Sequence, residues 1–392
     1  MFAREQPLTH SLAAHYPALR AIRTRRQLVA SALYQQLAPE LHRVLAGVER
    51  ADLAAPRRRG HNGRLRVVAW NVQRGRHFDA LVRALSDNPQ LAVADVLLLV
   101  EVDHGMARSG NRNIARALAE RLGMSYAFGV SYVTLEDDFG ENPDRNLNGL
   151  ALAGTAILSR LPIVRVENAD LPELRDKFSS SEKRLGKKRA LVAELDAAGT
   201  PLVVAAGHLD SNASPAQRAR QLSALLACMA SFGRERMLVG GDFNTTTYDL
   251  SGPPALAWNI AHKLTVNGFA GTIGHYLTPE LHYERALFEV LAQHGFATAG
   301  FNDRSQGTFK FDLHDPFAIQ KTQKSVGTAL TRLLQHLLRP WNGVVPARLD
   351  WFAGRGLSPL AAGVVEPRDA DGRRASDHAA ITLDLPLTPP RV

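Results

Sequence analysis

The sequence predicts an α/β fold of mixed, partly antiparallel sheets with flanking helices, and three observations carry that prediction. Short apolar, β-rich runs bounded by polar or turn residues recur from residue 64 onward. Helix-like segments fall between several of them, at 76–88, 111–122, 214–232 and 280–294. The runs do not alternate regularly with helices: Ala190–Leu195 and Leu202–Ala206 are separated only by a short stretch containing Ala-Gly-Thr-Pro, a hairpin signal. Sheets with helices on their outer faces are the natural way to bury so many short apolar strands.

In chain order, residues 17–50 read as helical, because Leu33, Leu37, Leu41, Leu45 and Val48 recur at intervals of three or four. Pro39 is expected to split this stretch into two helices. Ala54–Gly63 (AAPRRRGHNG) has the composition of a linker. Residues 1–63 therefore form a basic helical N-terminal extension, and residues 64–392 the main domain. Packing on that domain is the default role for the extension, ahead of dimerisation or docking on an anionic membrane surface through residues 1–50. The strand candidates are Leu65–Trp70, Val96–Val100, Thr155–Leu158, Ala190–Leu195, Leu202–Ala206, Met237–Val239, Arg348–Phe352 and Ala379–Leu383. Residues 302–346, with GTFKFDLHDPF and a helix-like TALTRLLQHLL, read as an insertion or long loop. No repeat of 20–50 residues is present.

The hydrophobic fraction of 45% and charged fraction of 22% suit a globular chain with a sizeable core. The single cysteine, Cys228, excludes an intramolecular disulfide and a thiolate zinc site, and its setting in LLACMA predicts a buried structural thiol. The net charge of +9 is uneven. Residues 1–60 hold ten arginines against four acids, and Arg175–Arg189 (RDKFSSSEKRLGKKR) holds seven basic residues against two acidic. Such segments attract phosphate-rich polymers or anionic lipid, although a solvated helix face and loop explain them as simply. The N-terminus lacks the apolar stretch of about 7–15 residues that a signal peptide carries, and no run approaches the roughly 18 apolar residues of a spanning helix. A soluble, cytoplasmic protein is expected.

Chemistry-bearing residues sit where strands end. Asn71 follows the first strand and Glu101 the second; His208 follows 202–206, Asp242 and Asn244 follow 237–239, Asp350 lies within 348–352, and Ser376-Asp377-His378 precedes the last strand. Side chains at strand ends converge along one rim when the strands share a sheet. Each has a plain alternative: a turn-closing asparagine, a carboxylate in a salt bridge, a satisfied polar histidine. One shared site explains all of them together better than a series of separate coincidences.

The ordered segments VVAWNVQ, LLLVEVD, TAILSRLPI, VVAAGHLDS, LVGGDFN, RLDWF and ASDHAAI resemble those of the endonuclease/exonuclease/phosphatase superfamily, over roughly residues 64–386, with GGDFN and SDH the most diagnostic. The resemblance implies a deoxyribonuclease-I-like, four-layer α/β sandwich of two mixed sheets packed face to face. It implies Glu101 as principal ligand of Mg²⁺ (or Mn²⁺), with Asn71 beside it and Asp242 and Asp377 as further ligands. Asp242 would position or activate the attacking water, and Asn244 would donate to a non-bridging phosphate oxygen. His378 would contact the phosphate or act as general base, with Asp350 holding its tautomer. His208 stands where pancreatic-type deoxyribonucleases, sphingomyelinases, inositol-phosphate phosphatases and deadenylases carry a leaving-group histidine; abasic-site endonucleases of the exonuclease III type carry a tyrosine there. Arg218, on the following helix (SPAQRARQLSALL), is expected to support the site, with a substrate phosphate as its candidate contact. Where many members have aromatic-Gly-Asn before AILSR, this chain has Ala-Gly-Thr155, and Asn148 is the nearby residue that could substitute.

The function expected is divalent-metal-dependent phosphoester hydrolysis, with a nucleic acid as the leading substrate because the basic segments suit a polyanion. The alternative is a lipid or small-molecule phosphatase or phosphodiesterase, sphingomyelinase-like or inositol-phosphate phosphatase-like. A non-enzymatic scaffold is disfavoured, since every matched position holds a competent residue.

Overall fold

Side chains of the first main-domain strand alternate between two apolar environments, and that alternation sets the architecture. The computed structural model describes residues 5–54, 63–136, 147–180, 182–314, 319, 323, 328–369 and 371–387. The linker falls almost wholly on 55–62, outside the described residues. Leu65, Val67 and Ala69 enter one core, and Val68 and Trp70 enter another, as the two-residue period of a strand requires.

A nine-stranded sheet holds β1 (Glu5–Gln6), β2 (Val48–Ala51), β3 (Arg64–Arg74), β4 (Val96–His104), β5 (Ser125–Thr134), β6 (Leu152–Ser159), β8 (Arg184–Gly186), β15 (Ala361–Val365) and β16 (Ala380–Pro386). Its order is β1-β2-β5-β6-β4-β3-β16-β15, with β8 also on β5. A five-stranded sheet holds β7 (Ile163–Asp170), β9 (Arg189–Ala197), β10 (Thr200–His208), β11 (Met237–Asp242) and β14 (Asp350–Arg355), in the order β14-β11-β10-β9-β7. Leu65, Val67, Leu98 and Ile157 of the first meet Leu191, Leu202, Val204 and Leu238 of the second in the core between the sheets.

Helices cover the outer faces. On the first sheet lie α1 (Tyr16–Ala21), α2 (Arg25–Ala30), α3 (Ala32–Leu45), α4 (Phe78–Asp87) and α5 (Ile114–Leu122), which share a core with Trp70, Leu97 and Phe128. On the second lie α6 (Pro215–Ala230) and α8 (Arg285–Gln293), through Leu222, Leu225, Leu287 and Leu291 against Val203, Val239 and Trp351. The result is the four-layer sandwich expected, helix–sheet–sheet–helix. A further helix, α7 (Pro253–Gly274), hangs from the loop after β11. The 302–346 insertion contributes an antiparallel ribbon of β12 (Phe309–Asp312) and β13 (Val344–Ala347), with α9 (Thr328–Leu337) between them. Among the described residues no helix is long and apolar enough to cross a membrane.

The N-terminal extension differs from its expected form in two ways. The helix break falls at Ser31, whose hydroxyl accepts from the Tyr34 amide, and α3 runs straight through Pro39. Burial of Leu37, Leu41, Val44 and Leu45, at roughly 1.5–3 kcal/mol each, outweighs the roughly 3 kcal/mol that an internal proline costs. Val48, expected on the helix, instead opens β2, which pairs with β5 and extends the sheet edge. Those helices bury their apolar faces in the first-sheet core, so that face is not available to a membrane surface.

Candidate active site

Strand register assembles the rim. In the second sheet β10 and β11 run parallel with His208 level with Asp242, and β14 runs antiparallel with Asp350 level with Asp242. Two glycines allow this close approach. A Cβ at Gly240 would lie 2.5 Å from the Phe352 ring, and one at Gly241 would lie 2.2 Å from the Gly207 carbonyl oxygen. From the first sheet Asn71 reaches across, its Nδ2 donating to Asp242 Oδ2 at 3.2 Å. Trp70 Nε1 donates to the His378 carbonyl at 2.9 Å and Ser376 Oγ to the Asn71 carbonyl at 2.6 Å, which pins the SDH segment to β3.

Glu101 does not end its strand. β4 continues to His104, and Glu101 is the extra residue of a bulge against β6, where Val100 pairs with Thr155 and Val102 with Gly154; against β3 the longer run is on β3, with Val100 paired to Asn71 and Val102 to Arg74. The Glu101 φ of 54° is left-handed, a conformation that costs a non-glycine residue about 1–3 kcal/mol. A bulge re-aims a side chain. Here it lifts one carboxylate out of a buried apolar strand and sets it 3.8 Å from His208 Nε2 and 3.8 Å from Arg74 Nε. His208 Nε2 is also 3.7 Å from Asp242 Oδ2.

On the other flank, His378 Nδ1 and Asp350 Oδ2 form a 2.8 Å hydrogen bond, and His378 Nε2 faces Asp242 Oδ2 at 3.9 Å. The 302–346 insertion supports this dyad. Thr308 Oγ1 accepts from the Leu349 and Asp350 amides at 3.0 Å each, and its carbonyl accepts from Ala379. The Phe309 ring packs 5.1 Å from the His378 ring.

Electrostatics separate the acids. Burial pushes the Glu101 carboxyl up, but the His208, Arg74 and Lys188 charges outweigh it and hold it well below the usual carboxylate range. Burial, with the Asp350 charge, pushes Asp242 up to about 7 against the pull of His378. His378 loses charge to burial but regains more from Asp350 and Asp242, so its pKa stands well above the ordinary value. His208 falls well below its ordinary value through burial and the Lys188 charge.

The donor set suits a hard divalent cation: the Glu101 and Asp242 carboxylates, with the Asn71 amide oxygen beside them, are oxygen ligands on one rim. Asp242, Asp350 and His378 also offer one ligand atom each within 4.8 Å of one another. The Asp350–His378 hydrogen bond, however, commits two of those groups to each other. Asp377 is exposed and stands outside this buried cluster. Asn244 donates its backbone N–H to Asp242 Oδ1 at 2.9 Å and one amide N–H to the Leu209 carbonyl at 3.0 Å, leaving the second amide N–H for a substrate.

Two expected roles change. Arg218 is fully buried in a bidentate pair with Glu284 and donates to the Ala213 and Tyr248 carbonyls, so it braces the loop after β11 and cannot reach a substrate phosphate. Arg218→Met is expected to destabilise the fold by about 3–5 kcal/mol, because it leaves Glu284 buried and unpaired. Denaturant midpoints would show this, and an unchanged midpoint with raised KM would restore the phosphate contact. Asn148 joins the Ala107 amide to the Glu136 carbonyl and serves its own loop. Cys228 is half-buried, its thiol pushed up to about 12 by burial and the nearby Glu167, as befits an inert structural thiol.

The basic run Arg175–Arg189 is mostly committed to the fold. Lys177 pairs with Asp210 at 2.8 Å, Lys183 donates to the Arg20 and Ile22 carbonyls, Arg184 lies 3.5 Å from Glu182, and Lys187 pairs with Asp170 at 3.1 Å. Burial lowers the Lys188 pKa to about 8, against the pull of the Asp210, Glu101 and Asp242 charges. Arg74, missed in the sequence, lies between Glu101 and Glu182, 3.6 Å from the latter, and Arg108 links Glu182 to Asp103 at 2.6 and 2.8 Å. Arg74 and Arg108 stand away from the predicted strand ends, and Lys188 is one of seven basic residues in a run whose charge alone does not single it out.

A sandwich of two mixed sheets with this rim defines a phosphoesterase-type scaffold. The Endonuclease/Exonuclease/phosphatase family matches residues 68–378, and the chain belongs to that family, whose members are phosphoester hydrolases. Comparison with curated proteins found no match. Among solved structures, an endonuclease/exonuclease/phosphatase from Beutenbergia cavernae is similar at 17% identity and TM-score 0.50, over 83% of this chain and 72% of that one. A family protein from Leptotrichia buccalis gives 14%, 0.46, 81% and 98% in the same terms. A 3′ phosphatase from Neisseria, bound to a product DNA hairpin, gives 15%, 0.46, 81% and 98%. At such identities the likeness concerns the fold.

Proposed function

We propose that this chain hydrolyses phosphodiesters with a divalent cation, Mg²⁺ or Mn²⁺, and that its substrate is a nucleic acid. The observation that carries the reading is the convergence of Asn71, Glu101, His208, Asp242, Asp350 and His378, from both sheets, on one rim. Glu101 and Asp242, with the Asn71 side-chain amide oxygen, would hold the cation, which when bound would supply positive charge to phosphate oxygens and lower the pKa of water. Asp242 orients the attacking water and takes its proton. His378, kept cationic by Asp350, and the second Asn244 amide N–H steady the non-bridging oxygens. His208 faces Glu101 and Asp242 from the opposite side and assists the leaving oxygen.

The polyanion reading draws on how the two basic segments meet. Lys183 ties the carbonyls of Arg20 and Ile22 to the 175–189 segment, so exposed Arg23 and Arg26 lie beside the segment whose Lys188 feels the Glu101 and Asp242 charges. One basic flank therefore leads toward the site, as phosphate-backbone binding requires. A lipid phosphodiester is the second reading. It is favoured by α7, which exposes Trp258 (76%) and Val266 (65%) and is tethered to the loop after β11 through the Lys263–Thr247 contact.

Purified protein with Mg²⁺ or Mn²⁺ is expected to cleave bis-p-nitrophenyl phosphate and DNA, and to lose both activities in chelator. Cleavage of phospholipid vesicles in preference to DNA would move the substrate to the second reading. No cleavage of any phosphoester in a panel of nucleic acids, phospholipids and phosphomonoesters would reject the hydrolase.

A further inference from the structure

The N-terminal extension and the 170–189 segment do not close completely on each other. A cavity of about 470 Å³ lies between them, and none of Asn71, Glu101, His208, Asp242, Asp350 and His378 stands in its walls. The sequence explains why it stays open. α2 and α3 bring Leu28, Leu41 and Leu45 to one wall. The run that faces them, RDKFSSSEKRLGKKR, has only Phe178 and Leu185 as large apolar side chains to set against them. The two walls are joined at fixed points. Arg25 pairs bidentately with Glu173, and Lys183 donates to the Arg20 and Ile22 carbonyls at 2.7 and 2.6 Å. The pocket is therefore preformed, and its volume lies in the range that takes a small molecule.

Its polar side is short of negative charge. Arg184, Lys187 and Arg189 line it. Lys187 and Arg189 share one carboxylate, Asp170. Arg184 lies 3.5 Å from Glu182, which also serves Arg108 at 2.6 Å and Arg74 at 3.6 Å. The Arg184 guanidinium stands 4.8 Å from the centre of the Tyr132 ring, a cation–π contact that helps to hold it in place. The Nε groups of Arg184 and Arg189 are buried with no hydrogen-bond partner among the described residues. A buried donor without an acceptor is costly, and a ligand oxygen relieves that cost. The remaining acids of the walls are engaged: Glu173 by Arg25, and Asp176 by the Phe178 amide and the Ser179 hydroxyl.

We propose that this cavity binds a small amphipathic carboxylate, its head against Arg184 and Arg189 and its alkyl tail against Leu28, Leu41 and Leu45. A guanidinium takes a carboxylate through paired N–H donors in one plane. A leucine-lined wall favours a tail in proportion to the apolar area it removes from water. Inorganic phosphate has no tail and a hydrocarbon has no head, so neither uses both sides of the cavity. Because the walls come from the extension and from the main domain, an occupant fastens the two together and stabilises the folded chain. The cavity would take this ligand whether or not the rim hydrolyses phosphoesters.

Calorimetry on the full chain with decanoate tests the site. Decanoate is expected to bind saturably, one molecule per chain, and to raise the melting temperature. Decanol, which lacks the head, and acetate, which lacks the tail, should each bind at least about 10-fold more weakly. Arg184→Met should weaken decanoate by roughly 10- to 100-fold and leave decanol unchanged. Val29 lines the cavity and is 47% exposed, which places it at the mouth. Val29→Glu therefore keeps the fold and should weaken decanoate by about 10-fold through like-charge repulsion. If Arg184→Met does not fold, Val29→Glu decides alone. Decanol binding as tightly as decanoate, decanoate failing to saturate, or wild-type affinity in a folded variant overturns the proposal. Decyl phosphate binding more than about 10-fold tighter than decanoate overturns the carboxylate head. None of these results touches the hydrolase reading, which turnover of bis-p-nitrophenyl phosphate decides separately.

Discussion

Glu101→Gln is expected to abolish metal-dependent turnover, lowering kcat/KM on the order of 1,000-fold, the loss expected when a cation that supplies several kcal/mol of charge stabilisation is misplaced or gone. The amide keeps the side chain's length and its place in the bulge but offers no charge to a hard cation. Isothermal titration with Mg²⁺ or Mn²⁺ should show the affinity falling with the activity. Glu101→Asp keeps the charge without the reach and should be intermediate. The same experiment decides where the cation sits. If it lies instead among Asp242, Asp350 and His378, then Glu101→Gln will bind metal as the wild type does, and Asp350→Asn will not. Stability gives a second readout with a defined sign. Because the neighbouring cations hold the Glu101 carboxyl below its usual range, its contribution to the fold is present above the unfolded value and is lost as pH falls through the folded one. Glu101→Gln should therefore be less stable than wild type near neutral pH without metal, with the gap closing on acidification. A gap that widens on acidification would show that the carboxylate is a liability to the apo fold.

The residues of this site were legible in the sequence to the extent that they end strands. Asp242 and His208 close β11 and β10, and Asp350 opens β14, so the two-residue period and the bounding polar residue were enough to find them. Glu101 has the residue type expected at a strand end but lies within β4. A bulge makes Glu101 an extra residue against β6, and nothing in VLLLVEVD distinguishes that from a strand that stops. β5 escaped notice because Ser125, Gly129 and Ser131 interrupt its apolar run, although pairing with β2, β6 and β8 buries its residues. Thr308 escaped for a different reason. Its role comes from tertiary placement: a hydroxyl from an insertion that fixes two amides of another strand. The basic run itself was visible, but charge density in a sequence does not say which cations the fold has already paired. Arg218 shows the converse, a conspicuous arginine near the motif that the interior claims entirely.

His378 and Asp350 are expected to behave as one unit. His378→Gln should lower kcat on the order of 1,000-fold, and Asp350→Asn by a comparable factor, with the double variant little worse than either, as for residues that act through each other. Asp350→Asn leaves the imidazole in place but removes the charge that holds it protonated and exchanges a charged acceptor for Nδ1–H for a neutral amide. Its pH profile then separates the two roles open to His378. If the cationic ring steadies the phosphate, activity in the wild type falls as pH rises through the raised His378 value. Asp350→Asn should move that alkaline limb down toward the ordinary histidine range near 6.5. If the neutral ring is the base instead, the limb that moves will be the acidic one, and the variant will gain relative activity at low pH. Stability follows the first sign in either case. A histidine with a raised folded value stabilises fully below its unfolded value and loses that contribution as pH rises through the folded one. The difference in unfolding free energy between wild type and His378→Gln should therefore be largest in acid and shrink in alkali. A difference that grows in alkali would mean that His378 is held neutral, and the cationic role assigned to it would have to be given up.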